Sequence, residues 1–485
     1  MPRAGSGLLG RRVLDLAAGP PLTCLRGMRV AEAAALMTAR AAGSIVVVGA
    51  QGEPLGIVTD RDLRNRVVVP GASAELPVAQ IMSAPLVSVP HDTPAFEALF
   101  EMTRRSIHHL GVVEGGRLVA VVSSHDMVLA EGAHPLALAR AIEAEESLDG
   151  LAASAPRLVG VVRWLVAAGA GASEIGRLVA EINDRLVVRA LALLERALEA
   201  EGHGRPPVPY SWLVAGSEGR REQTLKTDQD NGLVYADPSA GDEAASYFAL
   251  LAERMGAALV RLGFPECPGG FMASNPRWCK PARVWREYFA SWMESPQPEP
   301  IVDASLFFDL RPVGGDDEPG RALWSWVCER SPGSTLFLRY LARDAVLRPS
   351  ALAWFGRLRV DRSGPHRGRL DLKALAVFPI TQAMRVCALS LGLRETHTLD
   401  RLAGAEAAGL LRREDAANLR EAYETVARIR LVHQLRCLDE GGALDNFLDP
   451  RRLGRGDGLL LKDALHTVAW VQRFVEDRFQ TDTLA

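Results

Sequence analysis

Two kinds of hydrophobic pattern divide the chain. Short apolar runs bounded by turn-forming residues predict β-strands in the first quarter of the sequence, and again near residues 212–235 and 301–313. Apolar residues recur at helical spacing between about residues 134 and 201, and again beyond about residue 320. The pattern therefore predicts a multidomain protein in which mixed α/β parts and helical parts are combined.

An internal repeat organises the first part of the chain. The segment Gly56–Leu63, with the sequence GIVTDRDL, recurs as AVVSSHDM at Ala120–Met127. Each copy follows a helical pattern and two apolar runs, with glycine-containing hairpin turns between the runs. In the second copy, Thr93 is predicted to cap the helix. The predicted strands are Ile45–Val48, Leu55–Thr59, Leu110–Val113 and Leu118–Ser123.

A second motif lies at the centre of the sequence. The apolar run Trp212–Ala215 predicts a strand, and it is followed by a Gly-Ser turn and a predicted helix of about ten residues. Asp228 and Asp230 then open the next apolar run. Because side chains alternate along a strand, these two carboxylates are expected on the same side. Two converging carboxylates beside a Gly-Ser turn predict a site for divalent metal ions and a phosphate chain.

Other residues of this motif are candidates for binding phosphate. Gly216 and Ser217 lie between a predicted strand and helix, where backbone N–H groups can face phosphate oxygens. Arg220, Arg221 and Lys226 are nearby cations that can neutralise phosphate charge.

A third carboxylate on a neighbouring strand would complete the metal site. The run from residue 301 to residue 313 is predicted as a strand, with Asp303, Asp309 and Arg311 on one face. Asp309 is the expected third metal ligand, and Asp303 is the alternative.

The helical parts have their own patterns. Residues 136–204 are predicted to form an amphipathic connector. The C-terminal part is predicted to be a helical bundle with segments Leu372–Leu391, Arg412–Leu438 and Leu459–Phe479. The aromatic residues Trp285, Tyr288, Phe289 and Trp292 recur at helical spacing and are interpreted as core.

Composition narrows the function classes. The 485 residues carry a net charge of -3, so the basic surplus of a general nucleic-acid-binding protein is absent. The six cysteines show no C-x-x-C pair or Cys/His ligand spacing, which predicts free thiols in a reducing compartment. The apolar stretch Leu158–Ala172 is interrupted by Arg163 and is too short to span a membrane. A soluble, cytoplasmic protein is expected.

The repeat resembles a tandem pair of CBS domains, a Bateman module, over roughly residues 10–135. The resemblance implies that the cleft between the copies binds AMP, ADP or ATP, and that the chain forms a homodimer. Carried over to this sequence, the hydroxyls of Thr59 and Ser123 would meet phosphate, and Asp62 and Asp126 would hold the ribose. The alternative is that both aspartates only cap the following helices.

The central motif resembles the nucleotidyltransferase superfamily that includes DNA polymerase beta, kanamycin nucleotidyltransferase and the uridylyltransferase acting on the PII protein. The closer resemblance is to the nucleotidyltransferase family DUF294. It rests on the G-S-x-G-R-x-E-Q-x-x-x-T-D-Q-D-N form starting at Gly216, the Asn275–Cys279 loop and the Phe307–Val313 segment. Upstream CBS pairs and a helical C-terminal domain are typical of that family.

The resemblance implies a Mg²⁺- or Mn²⁺-dependent enzyme. It would transfer a nucleoside monophosphate from an NTP to a PII-like protein or a small-molecule acceptor, under adenine-nucleotide control. The alternative is a non-catalytic nucleotide sensor that acts through a partner protein. The expected domains are a CBS pair at 10–135, a connector at 136–204, a polymerase-beta-like α/β nucleotidyltransferase domain at 205–318 and a helical bundle at 319–485.

Overall fold

The computed structural model describes residues 11–17, 19–105, 107–124, 126, 135–225, 228–238, 243–296, 305–352 and 358–484. The chain divides into two compact units, Met1–Ala137 and Leu138–Ala485. The fold is mixed α/β with a helical C-terminal region, as the sequence predicts.

The first unit contains the same small fold twice. Its elements in chain order are β1 (Thr23–Leu25), α1 (Val30–Ala39), β2 (Ser44–Val48), β3 (Pro54–Thr59), α2 (Asp60–Leu63), β4 (Ser88–Pro90), α3 (Ala95–Arg105), β5 (His109–Glu114) and β6 (Arg117–Ser123). In each copy a short strand pairs in parallel with a second strand, and the second strand forms an antiparallel hairpin with the third. The two short parallel strands, β1 and β4, were not predicted.

Each copy has its own hydrophobic core. Val30, Ala33 and Met37 of α1 are buried against the first sheet, because their spacing places them on one helical face. In the second copy, Ala95, Ala98 and Met102 of α3 pack on the second sheet. The predicted apolar face Phe96, Leu99 and Phe100 lies outside the described side chains.

Four helices come next, and the second unit starts at Leu138 within the first of them. They are α4 (Pro135–Ala144), α5 (Leu148–Ser154), α6 (Arg157–Ala167) and α7 (Ala172–Ala200). Among the described residues, 148–167 is the one stretch that passes a length and hydropathy test for a membrane span, with a mean hydropathy of 1.2. In the structure it is two helices separated at Ala155 and Pro156, and Arg163 within it forms a 2.5 Å ion pair with Asp439. Val161 and Val162 are fully buried inside this unit.

A four-stranded sheet follows, with strand order β10-β7-β8-β9. Its elements in chain order are β7 (Tyr210–Val214), α8 (Gly216–Gly219), β8 (Asn231–Tyr235), α9 (Glu243–Arg261), β9 (Cys279–Pro281), α10 (Ala282–Glu294) and β10 (Arg311–Gly315). Strand β7 is antiparallel to both neighbours, and β8 is parallel to β9. Trp285 and Phe289 of α10 are fully buried, which confirms that the aromatic stripe belongs to the core.

The C-terminal region is helical. It contains α11 (Asp317–Arg330), α12 (Thr335–Leu347), β11 (Leu370–Asp371), α13 (Phe378–Ser390), α14 (Thr398–Ala407), α15 (Arg413–Asp439), β12 (Phe447–Leu448) and α16 (Arg455–Phe479). Helix α13 is buried almost throughout and forms the centre of the bundle. A turn of π-helix, Lys373–Val377, leads into it.

Two predicted elements differ from the structure. The helix expected after the Gly-Ser turn is one turn long, because Arg221 adopts a left-handed backbone conformation with φ of 56° and stops it. The strand expected from 301 to 313 begins at Arg311, and the described residues before it, Ser305–Asp309, form a 3₁₀ helix. Asp309 and Arg311 therefore do not share a strand face.

Candidate nucleotidyl-transfer site

The turn after β7 brings the Gly-Ser motif against an aspartate. Gly216 has φ of 55°, a conformation that favours glycine. A Cβ atom at Gly216 would lie 2.8 Å from Oδ2 of Asp230, so any side chain there would collide with the carboxylate. The backbone N–H of Ala215 donates to the carbonyl of Asp230 at 2.8 Å. Glycine is thus required both by the backbone conformation and by the closeness of Asp230.

Asp228 and Asp230 precede β8, with Gln229 between them. Gln229 is buried, and its side-chain amide donates to the carbonyl of Phe264 at 3.0 Å. Burial and the neighbouring charge of Asp228 raise the pKa of Asp230 to about 6, although a hydrogen bond with Cys267 acts in the opposite direction. The structure therefore brings the two aspartates close enough to repel each other.

Ser217 opens into a small cavity shared with the C-terminal region. The cavity has a volume of about 60 Å³, and its polar lining includes Ser217, Arg220, Lys373, Tyr423 and Arg430. The charge of Lys373 acts on Asp230, and that of Asp228 acts on Arg430, so the cations and the aspartates belong to one electrostatic site. Burial lowers the pKa of Arg430 to about 10, which still leaves it charged at neutral pH.

Sequence reasoning missed Lys373, Tyr423 and Arg430. They lie more than 140 positions after the Gly-Ser motif, on the turn before α13 and on α15. No local motif marks them. One feature of the sequence sets Arg430 apart: it is a charged residue at a position of the predicted helix where the helical spacing places apolar residues.

Asp309 is not free to bind a metal ion. It is fully buried, and it accepts hydrogen bonds from Arg220 at 2.5 Å, from Arg401 at 2.5 Å and from Nε of Arg385 at 3.0 Å. Burial alone would raise its pKa, but these guanidinium groups hold the pKa well below its usual value. The structure does not support Asp309 as a metal ligand, because both of its oxygens are already bound to cations.

The motif residues after Arg220 connect the Gly-Ser turn to helices elsewhere in the second unit. Glu222 accepts hydrogen bonds from Nε of Arg220 at 2.8 Å and from the backbone N–H of Thr398 at 2.6 Å. Gln223 accepts a 3.1 Å hydrogen bond from Asn183 on α7. The motif thus anchors the Gly-Ser turn to α7 and to the C-terminal helices.

The other residues predicted to bind phosphate or metal lie in different places in the structure. Arg220 lines the cavity with Ser217, but its guanidinium is paired with Asp309 and Glu222. Arg221 is exposed and lines a separate cavity with Asp184, so the structure does not bring it to Ser217. Lys226 and Asp303 lie outside the described residues.

The donor set suits a hard divalent cation. Asp228 and Asp230 offer carboxylate oxygens, which are the ligands Mg²⁺ and Mn²⁺ prefer. The pKa of Asp230 is raised first by burial and then by the charge of Asp228, and a bound cation would offset both effects. In the described part of the chain, the backbone N–H groups of Gly216 and Ser217 have no assigned acceptor, so they are available to an anion.

The first unit has a separate candidate site. A cavity of about 460 Å³ is lined by Thr59, Asp62, Arg66, His108 and His109, among others. Thr59 caps α2, and its hydroxyl and backbone N–H both donate to Asp62, at 2.7 and 2.9 Å. The aspartate therefore completes the capping box of Thr59 and lines the cavity at the same time.

The second copy repeats this pair. The hydroxyl and backbone N–H of Ser123 both donate to Asp126 at 2.7 Å. Neither residue is among the described lining of the 460 Å³ cavity. The cavity involves the first copy's pair, and the residues that follow Asp126 lie outside the described part of the chain.

Family comparisons agree with this geometry. "Putative nucleotidyltransferase DUF294" matches residues 157–299, "Putative nucleotidyltransferase substrate binding domain" matches residues 335–479, and "CBS domain" matches residues 13–69 and 78–132. These matches define a nucleotidyltransferase-type protein with a CBS pair. The chain belongs to the DUF294 nucleotidyltransferase family, as its motifs predict.

Curated relatives match over shorter stretches. An uncharacterized protein of Methanopyrus kandleri, MK0525, is 35% identical over 102 residues, which are 21% of this chain and 52% of that protein. YhcV of Bacillus subtilis, a CBS domain-containing protein, is 34% identical over 100 residues, or 21% of this chain and 71% of YhcV. The chain thus spans about half the length of the first relative.

Solved structures are similar to about a quarter of the chain. An uncharacterized conserved protein from Pyrococcus horikoshii is 30% identical, with a TM-score of 0.25, and covers 25% of this chain and 92% of its own. The CBS domain protein PAE2072 from Pyrobaculum aerophilum, solved in complex with AMP, is 27% identical, with a TM-score of 0.23, and covers 24% of this chain and 89% of its own.

Proposed function

We propose that the protein transfers a nucleoside monophosphate from an NTP to a hydroxyl group of a protein or small-molecule acceptor. The new bond joins the acceptor oxygen to the α-phosphorus, and the bond to the β-phosphate breaks. Pyrophosphate leaves with the electron pair, and the hydroxyl proton passes to solvent. The observation that carries this proposal is the closeness of Gly216 to Asp230, which also interacts with the charge of Asp228.

The phosphate chain is assigned to the Gly-Ser turn and the cavity beside it. The backbone N–H groups of Gly216 and Ser217 would donate to phosphate oxygens, as backbone donors do in other phosphate-binding turns. Lys373 and Arg430 would neutralise the negative charge from the opposite side. Arg220 and Asp309 would position the turn without contacting the nucleotide.

Asp228 and Asp230 would hold the metal ions. Bound there, Mg²⁺ or Mn²⁺ would supply charge neutralisation for the phosphate oxygens and the leaving pyrophosphate. In the protein itself, the two aspartates fix the position of that charge, because Gln229 anchors the segment between them in the core. This assignment places transfer in the domain at 205–318 and acceptor binding in the bundle at 319–485.

Nucleotide entry requires the cavity to open. Pockets that hold small-molecule ligands usually measure about 300–1,000 Å³. The cavity beside Ser217 has about 60 Å³, so it has room for only part of a triphosphate. Lys373 is exposed at the surface, and a shift of the turn that carries it would widen the site.

Calorimetry with ATP, UTP, CTP and GTP, each with and without Mg²⁺, tests this function. The proposal predicts metal-dependent binding of at least one NTP, followed by pyrophosphate release when the acceptor is present in a cell lysate. Metal-independent binding without pyrophosphate release in any lysate fraction would contradict it. That outcome would favour the non-catalytic nucleotide sensor instead.

We also propose that the cavity in the first unit binds AMP, ADP or ATP and regulates transfer. Its volume of about 460 Å³ lies in the range of ligand pockets. Asp62 lines this cavity and is oriented by Thr59 and by Ser83, whose hydroxyl donates to it at 3.0 Å. Ribose hydroxyls would replace these side-chain hydroxyls as donors to the carboxylate. The Asp62→Ala variant should lose adenine-nucleotide binding in titration calorimetry, and unchanged affinity would reject this assignment.

A further inference from the structure

A second cluster of ligating side chains lies at the end of α15. His433 and Cys437 are one helical turn apart, so both side chains are on the same face of the helix. Asp445, on the segment that follows, approaches the same place. One ligand atom from each of the three residues lies within 4.8 Å of the other two.

The distances between the ligand atoms suit a metal ion with tetrahedral coordination. Sγ of Cys437 lies 3.5 Å from Nε2 of His433. Nitrogen and sulfur ligands around tetrahedral zinc, at bond lengths of about 2.0 and 2.3 Å, are separated by about 3.5 Å. Nε2 of His433 and Oδ1 of Asp445 are 2.7 Å apart and share a hydrogen bond, so they would separate by about 0.6 Å to share a metal ion.

The third ligand is held by its own loop. Asp445 accepts a 2.9 Å hydrogen bond from the backbone N–H of Phe447. Phe447 begins β12, which pairs with β11, so the carboxylate is fixed before any ion arrives. Arg369 faces the same carboxylate at 3.5 Å, which is a weaker contact than a short ion pair and leaves room for competition by a divalent ion.

We propose that His433, Cys437 and Asp445 form a binding site for a borderline divalent cation such as Zn²⁺. Thiolate and imidazole ligands select zinc-like ions over Mg²⁺, which prefers the oxygen ligands of the aspartate pair near Gly216. The sequence predicts free thiols, because no C-x-x-C pair is present. A His and a Cys at i, i+4 do not mark a metal site by themselves, and only the fold brings Asp445 to them.

The site would act on the cavity through one intermediate residue. Asn446, next to Asp445, accepts a 2.7 Å hydrogen bond from Nε of Arg430 and a 3.1 Å hydrogen bond from Gln434. Arg430 lines the cavity beside Ser217. A metal ion that ties Asp445 to α15 would therefore also fix the position of Arg430.

Cobalt substitution of the full chain tests the site without measuring transfer. Apoprotein titrated with Co²⁺ should bind one equivalent with a thiolate-to-cobalt charge-transfer band, which oxygen ligands alone cannot produce. Cys267 lies beside Asp230, so the Cys437→Ser variant decides which thiol gives the band. Zn²⁺ should displace the Co²⁺ and remove the band. Absence of the band in the wild-type chain would overturn the proposal, whether or not the protein proves to be an enzyme.

Two variants identify the ligands. Cys437→Ser should abolish the charge-transfer band, and His433→Ala should weaken Co²⁺ binding by at least about 100-fold, since even mutation of a residue that only hydrogen-bonds to a metal ligand lowers metal affinity by about 10–100-fold. His466→Ala is the matched control, because His466 is exposed on α16, and it should bind Co²⁺ like the wild type. A band that persists in Cys437→Ser would assign the metal to another thiol and reject this site.

Discussion

The guanidinium of Arg220 donates a 2.5 Å hydrogen bond to the fully buried carboxylate of Asp309. Arg220 belongs to the Gly-Ser motif, and the same carboxylate also binds Arg385 and Arg401 of the C-terminal helices. The carboxylate of Asp309, 89 positions after Arg220, thus serves the assembly of the site. Asp309 holds together the two regions that form the cavity.

Removal of the Asp309 charge should destabilise the second unit. An Asp309→Asn substitution leaves three buried guanidinium groups without their common counter-ion, and breaking a buried ion pair in this way typically costs about 3–5 kcal/mol. Urea unfolding followed by tryptophan fluorescence measures the change. The Asp463→Asn control, at an exposed position on α16, should change stability by less than about 0.5 kcal/mol.

Acid should weaken the same cluster. The pKa of Asp309 is depressed in the folded protein, so the unfolded chain binds its proton more readily. The stabilising contribution is therefore complete above the usual pKa of an aspartate and is lost as pH falls toward the depressed value. Stability measured from pH 6 down to pH 2 should fall less steeply for Asp309→Asn than for the wild type. Parallel pH profiles would show that the cluster contributes nothing to acid sensitivity.

A methyl group at Gly216 should disable the transfer site. The Gly216→Ala side chain would lie 2.8 Å from Oδ2 of Asp230, and the backbone there has φ of 55°. Displacement of the carboxylate by about 1 Å should reduce kcat by about 100-fold. Gly456→Ala on α16, where nothing lies within 4 Å of the added methyl group, is the control and should retain full activity. Equal activity of both variants would contradict the assigned role of Gly216.

Lys373 should contribute to nucleotide binding. Its charge reaches Asp230, and it lines the cavity beside Ser217. Lys373→Ala should raise KM for the NTP by about 10-fold or more, because a charge-assisted hydrogen bond contributes about 1.5–3 kcal/mol. The control is Lys462→Ala, on the exposed face of α16. A change in kcat with KM unaltered would assign Lys373 to the reaction step and not to binding.

The sequence predicted the architecture because each domain carries local patterns. The repeated segments at Gly56 and Ala120 and the buried stripe of α10 follow from periodicity alone. The role of Asp309 could not be predicted in this way. Its partners Arg385 and Arg401 lie 76 and 92 positions away on separate helices, and only packing of those helices brings three guanidinium groups to one carboxylate. Lys373 and Arg430 of the cavity could not be predicted for the same reason.

Label transfer by the Asp228→Asn, Asp230→Asn double variant tests the central claim most directly. Wild-type protein, the double variant and the Asp463→Asn control would each be incubated with α-labelled NTP, Mg²⁺ and cell lysate. Wild type and control should label an acceptor, while the double variant, shown to be folded by circular dichroism, should label it less by at least about 1,000-fold. Undiminished labelling by the folded double variant would contradict the assignment of the two aspartates to nucleotidyl transfer.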